Sequence, residues 1–78
     1  MKSKINFNHD NLRKEILFKY GSLTNFAKAN KTHLNCISRK LKNETDITVD
    51  EIVRWSEMLD IKDEDISKYF FDIKVYEN

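Results

Sequence analysis

From residue 12 to residue 61 the apolar positions recur mostly at intervals of three and four, the spacing of helices that bury one face. Leu12, Ile16 and Tyr20 make one stripe, with Leu17 beside it, and predict a first helix from about Asn11 to Tyr20. Leu23, Phe26 and Ala27 predict a short second helix reaching about Asn30. A third begins at Thr32 or His33 and runs to Lys42, with Ile37 and Leu41 as its buried seam. Ile52, Trp55, Ser56 and Leu59 share a face of a fourth helix ending near Asp60. There small Ser56 permits close approach of a neighbour, and Ile61 closes the end against the core. Asp63, Glu64 and Asp65 suit the positive end of a short fifth helix reaching about Tyr69. The period then changes to two. Phe71, Ile73 and Val75 alternate with Asp72, Lys74 and Tyr76, as do residues in Lys4-Ile5-Asn6-Phe7, so a short strand is expected at either end.

Punctuation between these stretches agrees with them. Asn8 or Asp10 offers a cap for the first helix, and Gly21 suits the left-handed position that follows its end. Ser22 is placed to cap the second helix. Asn30 and Lys31 break the pattern in a tight turn, with asparagine the residue more tolerant of a left-handed backbone. Thr48-Val49-Asp50-Glu51 is a capping box, in which threonine and glutamate satisfy each other's backbone N–H groups.

The chain has 78 residues, no proline and one glycine, so helices joined by short turns are expected in a single domain over residues 1–78. No apolar run approaches the roughly 18 residues of a membrane span, and the opening residues lack the apolar stretch of a secretory leader. A cytoplasmic protein is expected. The lone cysteine, Cys36, forms no internal disulfide. Net charge is +1, but it is unevenly divided: residues 1–42 carry 10 Lys/Arg against 2 Asp/Glu, and residues 43–78 carry 4 against 11. A basic half can lie on a phosphate backbone while the acidic half faces away.

Two short helices around a tight turn, the second with an aliphatic seam and a polar, basic outer face, match a helix-turn-helix. The run from Phe26 to Leu41 resembles the Cro and phage-repressor family, also called Xre-like, in its small Ala27 at the helix crossing and its Ile37-Ser38-Arg39. Downstream, Ile47-Thr48, Leu59-Asp60-Ile61 and Tyr69-Phe70-Phe71 look like the later helices and tail of short phage Cro-like regulators. The resemblance implies a mainly α, five-helix, lambda-repressor-like fold, with a C-terminal strand that pairs with an N-terminal one or with a second subunit. Where the family has an apolar residue, a glycine and another apolar residue in the turn, this chain has Asn30, Lys31 and Thr32. Either a differently built turn or an earlier start to the third helix is therefore expected.

Transferred position by position, the resemblance makes Leu34, Asn35, Ser38 and Arg39 the base-reading residues. Asparagine suits adenine N6 and N7, arginine forks onto guanine O6 and N7, and leucine packs on a thymine methyl. Ser22 and Thr24 near the start of the second helix, with Lys28, Lys31, Lys40 and Lys42, are expected on phosphates. Such proteins bind double-stranded DNA as two-fold dimers on half-sites about 34 Å apart. Phe71, Ile73 and Val75 are the candidate dimerisation residues, the other arrangement being that the tail folds back on Lys4 to Phe7.

His33 and Cys36 share a helical face, but only His9 is available to join them, and a closed zinc site needs four ligands. No metal or cofactor is expected, and Cys36 is expected as partly buried filler. With one glycine there is no phosphate-cradling loop, and no nucleophile, base and orienting acid stand out, so an enzyme is not expected. The sequence therefore reads as a DNA-binding transcriptional regulator. The alternative is an antirepressor or inhibitor that turns the same fold, by the third helix or the acidic half, against a protein partner.

Overall fold

The computed structural model describes residues 6–73. The expectations for Lys4, Ile5, Lys74, Val75 and Tyr76 lie outside that range. Five α-helices follow in order: α1 (Asp10–Tyr20), α2 (Leu23–Ala29), α3 (Leu34–Leu41), α4 (Val49–Leu59) and α5 (Ile66–Phe70), with a 3-10 turn at Asp63–Asp65 leading into the last. No described helix is long and apolar enough to cross a membrane.

The helix starts follow the local chemistry of their caps. Ser22 Oγ accepts from the Asn25 N–H at 3.1 Å. Thr48 Oγ1 accepts from the Glu51 N–H at 3.2 Å, while Glu51 Oε1 accepts from the Thr48 N–H at 2.9 Å. Before α1 the expectation is corrected: His9 holds the cap position and makes no side-chain cap bond, Asp10 is the first helical residue, and Asn8, one residue outside the cap, accepts from the Asp10 N–H with its side chain.

The helix ends hold the main departure from the sequence pattern. Gly21 is left-handed, with φ 82°, as expected. Among the described residues the other positive-φ positions are Lys31, Asn43 and Asp60, at φ 57°, 65° and 55°. Lys31 and Asn43 sit one residue beyond a helix cap, Asp60 is itself the cap of α4, and each closes a Schellman motif. Thr32 N–H donates to the Ala27 carbonyl and Lys31 N–H to Lys28; Glu44 donates to Arg39 and Asn43 to Lys40; Ile61 donates to Ser56 and Asp60 to Glu57. The expected left-handed asparagine in the first turn is thus corrected. Asn30 has φ −88° and spends its side-chain Nδ2 on the Phe26 carbonyl at 2.8 Å, and Lys31 takes the left-handed place. The motif consumes Thr32, so α3 starts at Leu34, later than the pattern suggested.

One buried cluster unites the helices: Leu12, Ile16, Phe26, Ala27, Ile37, Leu41, Trp55, Leu59 and Phe70. Trp55, 1% exposed, is its centre. Its ring meets Phe26 edge-on at 5.2 Å, and Phe26 meets Tyr20 the same way at 5.1 Å. Such pairs add to simple burial because the positive ring edge faces a negative ring face. Ser56 is buried and Ile61 packs against the cluster, as expected, whereas Leu17 and Cys36 are exposed. Leu17 lies just off the stripe of Leu12 and Ile16, at the margin where side chains meet water.

The period-two signal yields one antiparallel bridge between Phe7 and Ile73 rather than a strand among the described residues. Asn8 N–H donates to the Asp72 carbonyl beside it, and the Phe7 and Phe71 rings meet edge-on at 5.6 Å. At these residues the tail folds back on its own N-terminal segment.

Candidate functional site

The seam of Ile37 and Leu41, both buried, fixes the rotation of α3. Asn35, Arg39 and Lys42, spaced by four and three, therefore form one outward stripe, with Leu34 and Ser38 along its side. Leu34 is 42% exposed; Asn35, Arg39 and Lys42 are exposed and Ser38 half-buried. The N-terminus of α3 has no side-chain cap, so its first N–H groups remain open at this surface. The structure brings all four expected base-reading residues onto one accessible face.

The six residues expected on phosphates do not share one fate. Lys28 and Lys31 are exposed at the end of α2 and in the turn, and Lys42 at the end of α3. None of the three, nor Arg39, forms an ion pair among the described residues. Thr24 is exposed, while Ser22 is half-buried and engaged as the α2 cap. Lys40 is committed elsewhere. Its Nζ lies 3.1 Å from Glu51 Oε1 and donates to the Asp46 carbonyl at 3.2 Å, with its side chain only 17% exposed. It ties the end of α3 to the start of α4 instead of facing outward.

Glu51 is therefore both cap and counter-ion. Burial works against its charge, but the Thr48 backbone N–H, the Lys40 ammonium and the Thr48 hydroxyl together hold its carboxyl below the ordinary range. His9 is buried and its Nδ1 lies 3.1 Å from the Leu41 carbonyl, at the last turn of α3. The Asn43 amide bonds both backbone groups of Phe7. Sequence reasoning missed these three supports of α3. An asparagine two residues past the end of an apolar seam is a recognised helix stop, and Asn43 was legible by that sign. Nothing in the spacing of Lys40 and Glu51, or of His9 and Leu41, announces contact.

His33 and Cys36 are both exposed, and no group of His, Cys, Asp or Glu among the described residues is arranged to hold a metal. Phe71 and Ile73 are 47% and 57% exposed beside their contacts with Phe7, and Val75 lies outside the described residues.

Comparison with known proteins adds two findings. Residues 5–73 match the family model described as "Protein of unknown function (DUF739)". The fold is similar to the solution structure of the modulator of repression (MOR) of the temperate bacteriophage TP901-1 from Lactococcus lactis. The TM-score is 0.75 at 33% sequence identity, over 90% of this chain and 95% of that one. No curated protein matches.

Proposed function

We propose that this chain, which belongs to the family described as Protein of unknown function (DUF739), is a phage regulator of repression that acts by stoichiometric binding through the outward face of α3. It has no catalytic step. The partner at that face is a repressor protein. The observation that carries this reading is Leu34, a large apolar side chain 42% exposed among Asn35, Ser38 and Arg39. An apolar anchor with a polar rim is the make-up of a protein interface, whereas DNA-facing surfaces are dominated by positive charge. The likeness to a modulator of repression supports the same reading. Mixing the purified chain with the repressor encoded beside it, and footprinting that repressor on its operator, is the test. Release of the operator and a complex on size exclusion are expected, and an unaltered footprint with no complex would end the reading.

A second reading has its own observation. Arg39, Lys28, Lys31 and Lys42 are exposed and without ion pairs among the described residues. In it, α2 and α3 act as a Cro-like helix-turn-helix, and a dimer puts Leu34, Asn35, Ser38 and Arg39 on bases in the major groove. Its mark is salt: affinity falls by about 0.9 log unit per log unit of salt for each phosphate neutralised. A gel shift of operator DNA by this chain alone, weakening steeply with salt, favours it over the first.

A further inference from the structure

On the side of α3 away from its outward face, the N-terminal segment, the α3–α4 connection and the end of α5 border a partly open cavity of about 250 Å³. Phe7, His9, Phe70 and Phe71 supply ring walls, and Ile47 and Ile52 supply aliphatic ones. Apolar cavities of roughly 150 Å³ already admit benzene, so this one has room for a fused two-ring ligand. Two of the polar residues in its lining are spent within the protein: Lys40 on Asp46 and Glu51, and Asn43 on Phe7.

His9 is the exception. It is 6% exposed, and its Nδ1 lies 3.1 Å from the Leu41 carbonyl. A carbonyl only accepts, so Nδ1 carries the hydrogen, and in the neutral imidazole Nε2 is then the acceptor. No described residue bonds Nε2. His9 lines the cavity, and Nε2 is the ring nitrogen its bond to Leu41 leaves over. Asp46, also in the lining, disfavours an anionic ligand.

We propose that this cavity is a binding site for a small, neutral, planar aromatic molecule carrying one N–H or O–H donor, held by ring contacts and by donation to His9 Nε2. Two of the residues that line it, His9 and Asn43, connect the N-terminal segment to the last turn of α3 and the turn beyond. A bound ligand therefore braces the C-terminal end of α3 from behind, whatever that helix faces.

Indole is the probe. Titrated into the isotope-labelled full chain, it should give saturable shifts at the backbone amides of Phe7, Ile52 and Phe71. Benzofuran has the same shape without the N–H and should bind roughly 3- to 10-fold more weakly, the equivalent of one hydrogen bond. Ile52→Trp fills the cavity and should abolish the shifts. Thr45→Trp, at an exposed lining position, does the same job where the first variant does not fold. No saturable shift with indole, or shifts undiminished in a folded filled variant, would overturn the site. Equal affinity for benzofuran would overturn the role given to His9.

Discussion

The side-chain amide of Asn43 bonds both backbone groups of Phe7: it accepts from the Phe7 N–H at 3.0 Å and donates to the Phe7 carbonyl at 2.9 Å. It thereby stands in for a strand neighbour, while Ile73 occupies the other side of Phe7. Asn43 is also the left-handed residue that ends α3.

These two roles separate by substitution. Asn43→Gly keeps the left-handed backbone and loses the amide, and is expected to destabilise by about 1 kcal/mol, two net hydrogen bonds less the relief of backbone strain. Asn43→Ala loses both and should cost about 2–3 kcal/mol in urea unfolding. Equal midpoints for the two variants would mean that the clasp on Phe7 contributes and the backbone position does not.

Lys31 tests the same point without a clasp. It holds φ 57° in the turn between α2 and α3, where glycine would sit without penalty. Lys31→Gly is expected to be about 1 kcal/mol more stable than Lys31→Ala, since both lose the charge and only one relieves the backbone. Thermal melts of the pair read the difference directly.

What was legible in the chain follows from range. Gly21, Ser22 and the Thr48–Glu51 box act within four residues, and the seam of Ile37 and Leu41 orients α3 from its own sequence, so the helices and the outward face could be read. Lys40 lies between Arg39 and Lys42 and reads as one more exposed lysine. Only the packing of α4 brings Glu51 to it. The left-handed lysine was illegible for another reason: the two hydrogen bonds of the Schellman motif outweigh a conformational cost that single-residue preference makes decisive. The tail alternates like a strand, yet its described part makes one bridge.

Acid should weaken the join between α3 and α4. The Glu51 carboxyl is held below its ordinary value, so the folded state gains from its charge above the unfolded value of about 4.3 and loses that gain as pH falls through the lowered folded value. Glu51→Gln removes the titration. Its stability should fall less steeply than the wild type's below about pH 4.3, while at pH 7 it is the less stable of the two by about 1 kcal/mol from the weakened cap. Parallel curves for the two proteins from pH 7 to 3 would rule Glu51 out as a source of acid sensitivity.

Ser56 runs the other way. Its hydroxyl is buried without a partner among the described residues, on the face of α4 that meets the core. Ser56→Ala preserves the close approach, removes the unpaired group and favours the helix, so it should stabilise by about 1 kcal/mol. A loss of stability in the urea midpoint would show that the hydroxyl is satisfied in solution.

Leu34 and Arg39 decide what α3 faces, because both are exposed and neither change should alter the fold. On the proposed protein-partner reading, Leu34→Asp sets a charge on the apolar anchor of the interface, where the few central side chains carry most of the energy. Repressor binding should then weaken by at least about 10-fold, and moderate salt should change that little. Arg39→Ala bears on the other reading, in which the arginine meets a guanine edge. If operator DNA is the ligand, it costs about 1–3 kcal/mol and relaxes selectivity at one base pair, with a steep salt dependence throughout. Measured side by side by calorimetry with repressor and by gel shift with operator, the two variants separate the readings. A large Leu34→Asp effect with an Arg39→Ala effect near zero assigns the face to protein, and a large loss of operator binding in both variants assigns it to DNA.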